Sequence, residues 1–292
     1  MKVAVIGAGT MGSGIAQVFA VCDDVEKVYL CDIKQEFADG GKSKIEKNLG
    51  KLVKKEKMTQ DAADKILAKV VTGLNSIAVD PDLVVEAALE VMDIKKQTFK
   101  ELQEDIVKND NCIYASNTSS LSITEIGAGL PKPIIGMHFF NPAPVMKLVE
   151  VINGANTPKD VTDKVVEISK NLGKTPVQVA EAPGFVVNRI LVPMINEAIF
   201  IYNEGIADIE GIDSAMKLGC NHPMGPRELG DLIGLDVCLA IMDVLYNETG
   251  DSKYRTCTLL RKMVRGKRLG QKTGIGFYKY NEDRTKTPVD KL

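Results

Sequence analysis

The sequence predicts an α/β chain, in which a doubly wound, mainly parallel sheet is followed by a second, all-helical domain. Three observations carry that prediction. Short apolar runs alternate with helix-length patterns through the first part of the chain. A glycine-rich turn joins the first run to the first helical pattern. Beyond Ala182-Pro183-Gly184 the runs stop and a 3.6-residue rhythm takes over.

The 292 residues are too many for one typical core, so two domains are expected, 1–183 and 184–292. Strands are expected at 2–6, 27–31, 70–71, 83–85, 112–115 and 134–137, and the runs at 148–152 and 176–179 extend the sheet. Helical patterns lie between them, as at 94–107 and 159–172. In the second domain Val186, Val187, Ile190, Leu191, Met194, Ile195, Ala198 and Ile199 fall on one helical face. Further helices are expected near 209–218, 225–246 and 256–267. Of the 17 residues from 229 to 245, 12 are apolar, so this helix is buried on most sides, either in the domain's own core or against a second subunit.

A net charge of -2 argues against nucleic acid as a partner by bulk attraction. No apolar run approaches bilayer-spanning length. Met1-Lys2 leads straight into the first run, which leaves no room for a signal peptide and implies a cytoplasmic protein. The six cysteines are scattered with no CxxC pair, a pattern that suits reduced thiols and suggests neither disulfides nor a metal.

Gly7-Ala8-Gly9-Thr10-Met11-Gly12 has its strand before it, its helix after it and an acid, Asp32, at the end of the second run. This is the Rossmann-type dinucleotide signature. Gly7 makes the tight turn, Gly9 lets the backbone approach a pyrophosphate at the helix N-terminus, and Gly12 lets helix and strand pack closely. Asp32 would accept hydrogen bonds from the adenosine ribose and repel a 2′-phosphate, so NAD is the expected cofactor. Lys34, close by, keeps NADP open as the alternative.

Ligands of open α/β sheets bind beyond the carboxyl ends of the strands. Two polar segments fall there, Ser116-Asn117-Thr118-Ser119-Ser120 and His138-Phe139-Phe140-Asn141-Pro142. A dehydrogenase acting on a hydroxyl needs a base, and histidine suits neutral pH. His138 is the candidate, with Glu150 in the apolar run 148–152 as the carboxylate that would orient it. The plainer readings are a hydrogen-bonded structural histidine and a solvent-facing edge carboxylate. Asn188 opens the first helix of the second domain, placed either to donate to a developing carbonyl oxygen or to cap the helix. His222, in a Pro/Gly-rich turn, reads as structural. Residues 34–57 carry eight lysines against four acids, either a solvated helix face or a surface for a phosphorylated substrate arm.

Taken together, VIGAGTMGSGIAQ from Val5, ASNTSSLSIT from Ala115, GMHFFNPAPVMKLVEV from Gly136, EAPGFVVNR from Glu181, NHPMGPRELGDLIGLD from Asn221 and GFYKY from Gly276 resemble the L-3-hydroxyacyl-CoA dehydrogenase family over nearly the whole chain. The resemblance implies His138 as catalytic acid/base, Glu150 as its partner, and Ser119 and Asn188 at the reacting oxygen. On the cofactor side it adds Glu90, Lys95, Ser119, Asn141 and Lys272 to the glycine loop and Asp32. For the CoA arm it points to Asn48, Lys55 and Ser119. It also implies acetoacetyl-CoA and 3-hydroxybutyryl-CoA as substrates and a homodimer through the helical domain. The alternatives are a relative acting on a sugar acid, gulonate 3-dehydrogenase-like, and a non-catalytic NAD-binding structural protein.

Overall fold

The structure, a computed structural model, describes residues 1–283 and 285–289. The chain divides into two compact units, Met1–Ala182 and Pro183–Leu292. The first is built on eight strands: β1 (Lys2–Ile6), β2 (Lys27–Cys31), β3 (Val70–Gly73), β4 (Leu83–Glu86), β5 (Ile113–Ser116), β6 (Ile134–Phe139), β7 (Leu148–Asn153) and β8 (Thr175–Ala180). Their order in the sheet is β3-β2-β1-β4-β5-β6-β7-β8. The first six therefore follow the 3-2-1-4-5-6 order of a dinucleotide-binding sheet, whose direction of winding reverses between β1 and β4.

Six helices serve this unit: α1 (Thr10–Val21), α2 (Gln35–Lys54), α3 (Gln60–Ala68), α4 (Met92–Glu101), α5 (Ile123–Ile126) and α6 (Lys159–Asn171). The central strands are buried on both faces, as parallel strands covered by crossover helices must be; Val3, Val5, Val28, Leu30, Val84 and Val85 are fully enclosed. After α4 one wide π turn, Leu102–Ile106, replaces the regular helix that the 94–107 pattern suggests. Within this eight-stranded sheet the one antiparallel pairing is β6 with β7. The connection between them, residues 140–147, is too short for a crossover helix, so the chain must return alongside β6.

The second unit contains α7 (Val187–Asn203), α8 (Ile209–Gly219), α9 (Pro226–Ile233), α10 (Leu235–Thr249) and α11 (Thr258–Arg265). The expected single helix over 225–246 is two helices. Gly234 adopts φ +105°, outside the helical region, and the amide of Leu235 turns to the carbonyl of Leu269. Leu235, Cys238, Ile241, Met242 and Leu245 enter the unit's own core, while Leu232 and Val237 face outward. The apolar stretch thus serves the domain core first. The unit is helical with one addition to the expectation, a two-stranded antiparallel ribbon of β9 (Tyr278–Tyr280) and β10 (Lys286–Pro288). Asp231 anchors it, accepting from the amides of Phe277 (3.0 Å) and Tyr278 (2.9 Å), and burial pushes its carboxyl up to about 6. No described helix is long and apolar enough to cross a membrane.

Candidate active site

The glycine turn is built as its sequence requires. Gly7 has φ +98°, and a Cβ there would lie 2.6 Å from the Ala87 carbonyl oxygen. A Cβ on Gly12 would overlap the Gly7 carbonyl itself. Gly9 differs, because a Cβ there would meet nothing within 4 Å. The turn is therefore packed from behind and open in front, over the N-terminus of α1, which begins at Thr10 and Met11. No side chain caps that terminus and no acid lies in its first turn. A backbone open at a helix N-terminus suits a pyrophosphate, so the residues fit a dinucleotide. Asp32 follows β2, accepting from the amides of Ala8 (2.7 Å) and Ile33 (2.8 Å), which fixes its carboxylate at the rim of the turn. Lys34 is exposed, 3.7 Å from Glu36.

Across the switch point, β4 ends in Glu86, which is fully buried and in register with Ile6 of β1 and Ser116 of β5. Its carboxylate accepts from Lys95 Nζ (2.8 and 3.0 Å), the Ala88 amide (2.7 Å) and Ser116 Oγ (2.6 Å). Lys95 also reaches Glu90 Oε2 at 3.2 Å. Glu90 Oε1 in turn accepts from Thr118 Oγ1 (2.7 Å), Ser119 N (2.8 Å), Ser119 Oγ (3.1 Å) and Ser120 N (3.2 Å). Burial acting alone would push the Glu90 carboxyl up. The Lys95 charge, the Thr118 hydroxyl and the Ser119 amide outweigh it and hold the group below the usual carboxylate range. Lys95, expected on the cofactor side, is 1% exposed, with its ammonium hydrogen-bonded to Glu86 and paired with Glu90.

His138 lies inside β6, one residue short of its end, rather than after it. The antiparallel register sets it directly opposite Glu150 of β7. Directly opposed side chains project from the same face, and here His138 Nδ1 meets Glu150 Oε2 at 2.9 Å. Both residues are at least 95% buried, and the Phe140 ring packs on the imidazole with centroids 4.5 Å apart. A carboxylate only accepts, so the contact puts the proton on Nδ1 and sets Nε2 as the basic nitrogen. The reading of Glu150 as a water-facing edge carboxylate does not hold, because β8 pairs beside β7 and Glu150 is only 1% exposed.

The remaining expected residues are placed as follows. Asn141 is exposed just beyond β6. Asn48 is on α2, where its amide reaches Gln17 Oε1 at 3.3 Å, and Lys55 ends that helix, exposed. In the second unit, Asn188 is the second residue of α7. The cap position belongs to Val186, so Asn188 is not the helix cap. Lys272 pairs with Asp236 of α10 at 2.7 Å. Sequence reading does not single out Glu86, and it names Thr118 only as part of the 116–120 segment. The available signal was an acid at the carboxyl end of a buried parallel strand, the level at which such sheets bind ligands.

Comparison with known proteins matches residues 2–182 to the 3-hydroxyacyl-CoA dehydrogenase NAD binding domain and residues 184–280 to the 3-hydroxyacyl-CoA dehydrogenase C-terminal domain. A 3-hydroxybutyryl-CoA dehydrogenase of Clostridioides difficile is 56% identical over 285 residues, which span 97% of this chain and 100% of that one. The human mitochondrial hydroxyacyl-coenzyme A dehydrogenase is 42% identical, over 95% of this chain and 90% of its own. The crystal structure of (S)-3-hydroxybutyryl-CoA dehydrogenase from Ralstonia eutropha superimposes with a TM-score of 0.90 at 47% identity, covering 96% of this chain and 99% of that one. The chain belongs to the 3-hydroxyacyl-CoA dehydrogenase family.

Proposed function

We propose that this protein is an NAD-dependent 3-hydroxybutyryl-CoA dehydrogenase that interconverts (S)-3-hydroxybutyryl-CoA and acetoacetyl-CoA. The observation that carries the reading is the buried His138–Glu150 pair, in a chain whose similarity to named enzymes of that activity extends over nearly its full length. In the oxidative direction His138 Nε2 takes the proton of the C3 hydroxyl. The Nδ1–H donated to Glu150 keeps the ring in the required tautomer, and the carboxylate stabilises the imidazolium as it forms. In the reductive direction the same nitrogen returns the proton to the C3 oxygen. Nicotinamide dinucleotide, when bound, supplies the site with a hydride donor or acceptor.

Ser119 is the residue of the 116–120 loop assigned to the substrate oxygen. Its amide and hydroxyl both donate to Glu90 Oε1, at 2.8 and 3.1 Å. The roles of Asn188 and Lys272, carried by the second unit, rest on family resemblance. The choice of NAD over NADP rests on Asp32, held by two backbone amides at the rim of the turn. A homodimer through the helical unit, located in the cytoplasm, belongs to the same reading and is checked by sedimentation of the purified protein.

The lysine-rich α2 is assigned to the phosphates of the CoA arm. Lys55→Ala is expected to raise KM for acetoacetyl-CoA about two- to fivefold with kcat unchanged, as befits one exposed charge, and the effect should fade at high salt. Steady-state kinetics at two ionic strengths check this. The substrate class is tested by product analysis. The protein should form 3-hydroxybutyryl-CoA from acetoacetyl-CoA and be inhibited by free CoA. Oxidation of gulonate without inhibition by CoA would replace this reading with the sugar-acid one.

A further inference from the structure

We propose that Glu86 is a positioning residue of the dehydrogenase site: it holds the Lys95 ammonium against Glu90 and thereby sets the 118–120 loop that presents Ser119. The inference deepens the proposed function and rests on its assignment of Ser119, Glu90 and Lys95.

Glu86 is fully buried, and its two oxygens accept four hydrogen bonds, from Lys95 twice, the Ala88 amide and the Ser116 hydroxyl. That fills the acceptor capacity of a carboxylate. The ammonium it holds makes two hydrogen bonds to Glu86 and an ion pair with Glu90 Oε2 at 3.2 Å. Glu86 therefore holds the Lys95 ammonium by two hydrogen bonds at the place where its charge meets Glu90. Glu90 is divided in the same way, with Oε2 facing Lys95 and Oε1 gathering the donors of Thr118, Ser119 and Ser120. The rotation of its carboxylate is thus shared between Lys95 and the loop.

Glu86 also grips the root of that loop. Its backbone carbonyl accepts from the Asn117 amide at 2.7 Å. Ser116 Oγ, while donating to Glu86, accepts from the Thr118 amide at 3.2 Å. One buried carboxylate therefore fixes the loop at its base through Ser116 and at its tip through Lys95 and Glu90. Neutralising it leaves a buried ammonium with a single carboxylate partner. The Lys95 charge then draws Glu90 towards itself and away from the Ser119 amide, because an uncompensated buried charge is far costlier than a bent loop.

The test is a double-mutant cycle of Glu86→Gln with Lys95→Met, read by kcat and KM for acetoacetyl-CoA, by the NADH dissociation constant from fluorescence titration, and by the thermal midpoint. Glu86→Gln, the same size without the charge, is expected to lower kcat/KM about 100-fold and to raise the NADH dissociation constant several-fold. The two losses should not add, since both substitutions break one link. Glu86→Asp, shorter but charged, should recover more activity than Glu86→Gln, whereas a residue needed only for packing would favour the isosteric amide.

Values of kcat/KM and NADH affinity within twofold of wild type in Glu86→Gln would overturn the proposal. So would losses in the two single variants that simply add. Should Glu86→Gln not fold, Ser116→Ala removes the loop-root contact alone. It is then expected to raise KM about three- to tenfold, and an unchanged KM contradicts the proposal. If wild type fails to turn over acetoacetyl-CoA, the functional reading falls, while the cycle in NADH affinity still decides the role of Glu86.

Discussion

Replacing His138 by Gln is expected to lower kcat for acetoacetyl-CoA reduction about 1,000-fold while leaving NADH affinity within about twofold of wild type. The amide has no group that can take and return a proton near neutral pH, so the loss falls on the chemical step. Glu150→Gln is expected to cost about 100- to 10,000-fold by a different route. The amide keeps the volume, but it removes the charge that stabilises the imidazolium and can present a donor to Nδ1. That would favour the wrong tautomer and take the basic nitrogen away from Nε2. The double variant should be little worse than the worse single one, because both substitutions disable one unit. Stopped-flow and steady-state kinetics, beside fluorescence titration with NADH, check all three. A Glu150→Gln protein with near-normal kcat would make the pair structural.

Gly12→Ala is expected to weaken NADH binding about 100-fold or more, equivalent to about 2.7 kcal/mol, and to lower the thermal midpoint. The added methyl would occupy the place of the Gly7 carbonyl oxygen, which is backbone and cannot rotate away. Either α1 moves off β1 or the turn at Gly7 opens, and Gly7 is itself closed in by Ala87. Overpacking of this kind costs about 1–3 kcal/mol in stability. Gly9→Ala separates the two effects. It meets no protein atom, so stability should hold while binding falls, because the methyl stands where the ligand's phosphates approach. Calorimetry and NADH titration of the two variants check the contrast.

Most of the first unit was legible because its strands are short apolar runs flanked by turns, and buried parallel strands carry that signal directly. The glycine turn was legible in the tasks of Gly7 and Gly12, since φ +98° at Gly7 and the contact behind Gly12 are what its spacing encodes. The His138–Glu150 contact was legible as a pairing of types, an acid in an apolar run needing a partner. The direct opposition came from the antiparallel turn of β6 onto β7.

What escaped were partners and interruptions. Glu86 fell just outside the expected strand 83–85 and Lys95 was marked only by resemblance, as a cofactor residue; periodicity reports which face a residue occupies, not which charge it meets. Gly234 sits within an apolar run that continues on both sides, so the hydrophobic pattern hid the break that its φ imposes. The β9–β10 ribbon has only three residues per strand and depends on Asp231, a contact set by tertiary structure.

The most direct measurement is nicotinamide absorbance after mixing the purified protein with acetoacetyl-CoA and either NADH or NADPH. Rapid loss of NADH, much faster than loss of NADPH, is expected from the His138–Glu150 pair and from an Asp32 carboxylate held at the rim of the glycine turn. No loss of NADH, in a protein that binds it, would contradict the assigned reaction.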